Sequence, residues 1–291
     1  MDDHALLLIV GLQKSGTTLL QRLLLDTGFI TKPFRTEGDE FWGNIPPFSP
    51  GEAPAGTLYQ QYNGTRGHLL TADDATPDVV ALMTERLHAI ECDTPLMLAK
   101  SPYNTVRIPW LKKVFPNACI VAMVRDPVAN VFSLLKKFHP HDDRGAEPEE
   151  GWWGVKPPQW TSLRRTNIVE QCALQWLHVN TVLVDNLAHV DCLIPYAQLC
   201  DTPATFLGRI FDRMRVALDI ESLVLPSIQC FDKEFAIGSR LRSKNRYWRE
   251  RGRSLETPAT ETIEINALAH NDMDLIQRIC EPAATRLRGE A

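Results

Sequence analysis

No C-x-x-C pair occurs anywhere in this chain. Its seven cysteines, Cys92, Cys119, Cys172, Cys192, Cys200, Cys230 and Cys280, are odd in number, and several stand inside apolar runs. That spacing excludes the usual zinc patterns, and we expect reduced, mostly buried thiols in a cytoplasmic protein. Long hydrophobic runs are also missing. The run from Ala5 to Val10 is too short to cross a bilayer and fits a buried parallel strand. No targeting segment is expected, because Met1-Asp2-Asp3-His4 is acidic where a signal peptide would be basic. Nor is there a positive surplus. A net charge of −5 argues against general nucleic-acid binding, although it leaves room for a local basic site for an anion. No internal repeat and no low-complexity tract is visible.

What is present is an ordinary globular composition, 44% apolar and 23% charged over 291 residues. Residues 1–291 are expected to form one α/β domain, because folds of this class and size are often undivided. The organising stretch is Leu6-Leu7-Leu8-Ile9-Val10-Gly11-Leu12-Gln13-Lys14-Ser15-Gly16-Thr17-Thr18-Leu19-Leu20. An apolar strand ends at Gly11, a short turn follows, and Leu19, Leu20, Leu23 and Leu24 then recur at helical spacing. A strand-turn-helix of this kind aims backbone N–H groups and the positive end of the helix at one point, which suits a phosphate. Gly11 and Gly16 match the outer glycines of G-x-x-x-x-G-K-[ST], but Thr17 stands where that motif has lysine, and the lysine lies upstream at Lys14. The cradle is kept, while the lysine that an ATP-type loop uses on its β- and γ-phosphates is not.

Lys14-Ser15-Gly16-Thr17-Thr18 after a strand resembles the 5′-phosphosulfate loop of sulfotransferases that use 3′-phosphoadenosine 5′-phosphosulfate (PAPS). A second unit strengthens the likeness. Cys119 to Val124 is a continuous apolar strand, and Arg125-Asp126-Pro127 opens a helix through Val128, Val131, Leu134 and Leu135. Asp126 suits the cap and Pro127 the first helical position, so local structure explains both. Arg125 and Ser133 are left over. A guanidinium at the carboxyl end of a sheet strand can grip a phosphate bidentately. Arg-Asp-Pro-x-x-x-x-x-Ser resembles the family's 3′-phosphate motif.

The resemblance implies a three-layer α/β fold of P-loop NTPase-like type, with a central parallel sheet flanked by helices. It implies PAPS as co-substrate, no metal, and transfer to a hydroxyl, with an amine as second choice, on a small-molecule, glycan or lipid acceptor. Neither a nucleic-acid partner nor a membrane span is expected, and the oligomeric state stays open. Lys14, Ser15, Gly16, Thr17 and Thr18 would hold the 5′-phosphate, with Lys14 also neutralising charge on the bridging oxygen. Lys100-Ser101-Pro102-Tyr103-Asn104 resembles the second family motif, with Pro102 where cytosolic members carry a histidine base. The base is therefore sought among glutamates, and Lys100 remains a candidate contact to the donor or the leaving phosphate. Glu37 is the first choice and Glu40 the second, both within Arg35-Thr36-Glu37-Gly38-Asp39-Glu40-Phe41-Trp42, where aromatics beside carboxylates can raise a carboxylate pKa. Tyr196 loosely matches a tyrosine that contacts the adenine side of the donor. Arg240, Arg242, Lys244, Arg246, Arg249, Arg251 and Arg253 crowd one late stretch, and Lys244, Arg246 and Arg249 are chosen for the family's basic loop over the 3′-phosphate.

Two long excursions, at about 32–70 and 139–165, would serve the acceptor. Phe34, Phe41, Trp42, Phe48 and Tyr59 in the first could form a wall, and Trp152, Trp153 and Trp160 in the second suit a mobile lid or a fixed loop. His139, His141, Asp142 and Asp143 offer a weak metal reading with no outer ligand set. Helices are expected over Val79–Ala89, with Asp78 as cap, and from Ile168 to Leu187 and Ala204 to Leu218, with a strand from Val190 to Tyr196. A nucleotide kinase or NTPase, and a non-enzymatic nucleotide- or RNA-binding module built on the late basic stretch, are the competing readings.

Overall fold

The computed structural model describes residues 5–34, 39–42, 66–92, 94, 96–138, 151–217 and 270–290. The chain begins with β1 (Ala5–Val10) and α1 (Thr17–Leu25), followed by β2 (Ile30–Thr31) and a single turn α2 (Asp39–Trp42). Next come α3 (Pro77–His88), β3 (Leu96–Lys100), α4 (Ile108–Val114), β4 (Cys119–Val124) and α5 (Pro127–Leu135). The remaining elements are α6 (Ile168–Asp185), β5 (Cys192–Pro195), α7 (Tyr196–Asp201), α8 (Pro203–Ala217) and α9 (His270–Glu290).

Five parallel strands form one sheet in the order β2-β3-β1-β4-β5. β1 lies between β3 and β4, so the chain leaves it toward one edge and later passes to the other. In an open α/β sheet that reversal opens a crevice at the carboxyl ends of the strands. The period-2 alternation of strand side chains divides the core. Leu6, Leu8 and Val10 of β1 face one way, with Ile120 and Ala122 of β4, onto α4, α5, α6 and α9. Leu7 and Ile9 face the other way, with Val121 and Met123, onto α1 and α8. Helices thus cover both faces of the sheet, which is the expected three-layer α/β arrangement.

Local boundaries depart from the sequence reading where side chains compete for a cap. Thr76, not Asp78, caps α3: its hydroxyl accepts from Val79 N–H at 3.4 Å, with Pro77 at the first helical position. Asp126 caps α5 as expected, accepting from Ala129 N–H at 3.0 Å. β2 is a strand that the sequence did not suggest, because two residues are too few to show alternation. Arg125 follows the fourth strand in chain order. β5 begins at Cys192, and Tyr196 already belongs to α7.

The expected aromatic wall of the first excursion is corrected in part. Phe34, Phe41 and Trp42 are buried in the core, packed among Trp110 and Phe115. Phe48 and Tyr59 lie outside the described residues. Among the described residues no helix is long and apolar enough to cross a membrane. Burial pushes the Cys119, Cys192 and Cys280 thiols up, and the Cys172 thiol up to about 12.

Candidate active site

The turn after β1 is held open by backbone geometry. Gly11 has φ 143° and Gly16 has φ 104°. A Cβ on Gly11 would meet the Met123 carbonyl at 2.5 Å, and one on Gly16 would strike the Tyr196 ring. Between them Lys14 also stands at positive φ, 69°, where a non-glycine residue persists only if its surroundings hold it. Asn130 Nδ2 donates to the Gln13 carbonyl at 3.0 Å, and Arg125 Nη1 to the Lys14 carbonyl at 2.7 Å. The Gly11 N–H donates to Thr105 Oγ1 at 2.7 Å.

With the Gln13 and Lys14 carbonyls drawn onto Asn130 and Arg125, the amides of Gly16, Thr17 and Thr18 donate to no described residue, whereas Leu19 and Leu20 already bond back to Gly16 O. The Ser15 hydroxyl, in a residue only 1% exposed, has no hydrogen-bond partner among the described residues. Orphan donors at the start of a helix, joined to its positive end, make an anion site.

Other strand ends converge here. Lys100 closes β3, and its Nζ reaches Thr18 Oγ1 at 3.4 Å. Arg125 follows β4 and lies over the Tyr196 ring, 4.5 Å from Cζ to the centroid, at the end of β5. The structure thereby brings Lys14 to Thr18, Lys100, Arg125 and Tyr196 together. Ser133 lies half-buried two turns into α5. Glu37, Lys244, Arg246 and Arg249 lie outside the described residues, and for Glu40 only the backbone, within α2, is described.

Several neighbours escaped the sequence reading. The segment 152–156 lies against the loop. Gln13 Nε2 donates to the Trp153 carbonyl at 3.1 Å, and Val155 N–H donates to Gln13 Oε1 at 3.2 Å. Gln175 of α6 donates to both the Trp153 and Val155 carbonyls. Gly154 sits so close to the Gln13 amide that a Cβ there would collide with it. On its far side Lys156 N–H donates to His68 Nδ1 at 2.8 Å, which leaves the ring proton on Nε2. The His68 ring packs at a tilt against Tyr103, and its carbonyl accepts from Arg107 Nε. Burial first, then the charges of Arg107 and Lys156, hold His68 well below its ordinary pKa. Trp152 and Trp160 pack together with Leu163 beneath this segment. The described part of the second excursion is therefore a packed wall. Gln13 and Gln175 carried no recognisable motif; their role comes from contacts made more than a hundred, and some twenty, positions along the chain.

Among the described residues no cluster of three or more His, Cys, Asp or Glu side chains could hold a metal, and His139, His141, Asp142 and Asp143 lie outside them. A cavity of about 520 Å³ lined by Leu187, Asp191, Arg209 and Glu290 opens at the amino end of β5, away from the converging strand ends.

A parallel α/β sheet whose first strand-helix turn presents amides with no partner among the described residues, and cations at the ends of β3 and β4, has the P-loop-like arrangement that suits an anion. The sulfotransferase family model matches residues 7–219, and the chain belongs to that family. Among solved structures it is similar to a sulfotransferase from Alicyclobacillus acidocaldarius, at 16% identity and TM-score 0.48, over 97% of this chain and 94% of that one. It is also similar to the sulfotransferase STF1 from Mycobacterium tuberculosis H37Rv, at 16% identity and TM-score 0.39, over 80% of this chain and 76% of that one. No curated protein matches the chain. Membership rests on the family model.

Proposed function

We propose that the chain, as one domain over residues 1–291, moves a sulfuryl group from PAPS to a hydroxyl, or as second choice an amine, of a small-molecule, glycan or lipid acceptor. The observation that supports this reading is the set of amides of Gly16, Thr17 and Thr18, without a partner among the described residues, beside the Ser15 hydroxyl. Those donors suit the donor's 5′-phosphate, and Lys14 suits the bridging oxygen. Arg125 and Ser133 are assigned to the 3′-phosphate, with Lys244, Arg246 and Arg249 closing over it and Tyr196 on the adenine side. Lys100, touching Thr18, suits the leaving phosphate.

In the reaction the acceptor oxygen attacks sulfur in line. The new S–O bond forms as the bond from sulfur to the bridging oxygen breaks, and adenosine 3′,5′-bisphosphate leaves. The acceptor proton goes to Glu37 or, failing that, Glu40. Positioning and charge stabilisation by fixed donors supply most of the acceleration, because little covalent chemistry falls to the protein. The scheme asks for no metal.

Calorimetric titration with adenosine 3′,5′-bisphosphate, ATP and a short RNA tests the reading. The bisphosphate should bind tightest. Preference for ATP would favour a kinase or NTPase, and preference for RNA a binding module.

A further inference from the structure

Gln13 belongs to the turn after β1 by its backbone and to the segment 153–155 by its side chain. Its carbonyl accepts from Asn130 Nδ2 at 3.0 Å, and the residue is 6% exposed. Its side-chain Nε2 donates to the Trp153 carbonyl at 3.1 Å, while Oε1 accepts from the Val155 N–H at 3.2 Å. A side-chain amide carries a donor and an acceptor, as a peptide group does, and here it stands beside residue 154 as a neighbouring strand would. Gly154, at φ 84°, leaves no room for a Cβ against that amide. Glutamine and glycine are therefore matched. A glutamate would set a carboxylate oxygen against the Trp153 carbonyl, and a longer residue at 154 would push the amide out.

The connection continues on the other side of the segment. Gln175 donates from α6 to the Trp153 carbonyl at 2.9 Å and to the Val155 carbonyl at 2.8 Å. The Lys156 N–H donates to His68 Nδ1, and the His68 N–H returns to the Lys156 carbonyl, both at 2.8 Å. Buried hydrogen bonds thus run without a break in the fold from Asn130 through the turn to the second excursion, and from there to His68 near the end of the first. The Trp153 ring is carried on this segment, with its centroid 5.7 Å from the Lys14 ammonium.

We propose that Gln13 is a positioning residue that links the phosphate turn to the wall 153–156, so that a nucleotide on the turn also fixes the wall. The inference rests on the donor reading above and adds a residue to it. Opening of the wall breaks the bonds to Gln13 and disturbs the turn. A ligand that binds only the ordered turn therefore lowers the population of the open wall. The linkage is reciprocal, since a fixed wall favours the ligand by the same factor.

Amide-resolved hydrogen exchange on the full chain tests this, with and without saturating adenosine 3′,5′-bisphosphate. The reporters are the N–H groups of Lys156 and His68, which bond to each other's residues and not to Gln13. In the wild type the bisphosphate should slow both at least fivefold. Gln13→Met keeps the length of the side chain and loses both bonds. It should bind the bisphosphate within tenfold of the wild type in a calorimetric titration, because Asn130 still holds its carbonyl, yet the ligand should no longer slow the two reporters. Gly154→Ala reaches the same contact from the other side and replaces any Gln13→Met that does not fold. A glutamine that only stabilised the fold would raise exchange equally with and without ligand and leave the slowing intact, so slowing kept in either variant overturns the inference. Complete loss of bisphosphate binding by a folded Gln13→Met also overturns it, since Gln13 would then serve the ligand itself. A wild type that binds the bisphosphate without slowing the reporters removes this inference alone, whereas a wild type that does not bind it removes the donor reading as well.

Discussion

Lys14 joins strain and chemistry in one position. Its backbone stands at φ 69°, and Arg125 holds its carbonyl. Lys14→Ala keeps that backbone problem but removes the ammonium. It should abolish sulfuryl transfer while the thermal midpoint moves little, which a donor-consumption assay and a melting curve read together. Arg125→Ala removes a guanidinium that braces the loop as well as one assigned to the 3′-phosphate. Affinity for adenosine 3′,5′-bisphosphate should fall by roughly 2–5 kcal/mol, as when one partner of a desolvated charge pair is truncated. Unchanged affinity in a calorimetric titration would remove Arg125 from the site. Arg125 could be singled out in the sequence because Asp126 and Pro127 beside it had sufficient local explanations and it had none. Its bond to the Lys14 carbonyl could not be, since that pairing depends on β1 and β4 lying side by side.

At the scale of elements, β1, the turn and α1 were legible because an apolar run, two glycines and a helical leucine repeat agree locally. The segment 152–156 was not. Its conformation is set by Gln13, Gln175 and His68, which reach it from the loop, from α6 and from before α3. Aromatics misled for the same reason. Phe41 and Trp42 sit in a proline-rich stretch that reads as a surface loop, yet Trp110 and Phe115 give them a core to enter. Gly154→Ala tests how firmly the wall is fastened. The added methyl would displace the Gln13 amide at a residue with φ 84°, and unfolding free energy should drop by about 1–3 kcal/mol. Urea titration of the variant checks this, and an unchanged midpoint would mean that Gln13 has other room.

At the scale of the whole molecule, pH reports on the same wall. His68 is held neutral in the folded protein, whereas the unfolded chain takes up a proton there as pH falls through about 6.5. The unfolded state then binds more protons, so stability falls as pH drops below that value, by about 1.4 kcal/mol per pH unit for one group. His178, lowered by burial, acts in the same sense. The urea midpoint should be highest above pH 7 and decline toward pH 5, and His68→Asn should flatten the decline. A midpoint constant across that range would place His68 in water.

The central claim is that one pocket takes both phosphates of a single nucleotide, and a crystal structure of the chain with adenosine 3′,5′-bisphosphate tests it most directly. The account predicts the 5′-phosphate on the amides of Gly16, Thr17 and Thr18 and the 3′-phosphate within reach of Arg125 and Ser133. A bound nucleotide with its 5′-phosphate elsewhere, or with Arg125 and Ser133 both turned away from the ribose, would contradict it.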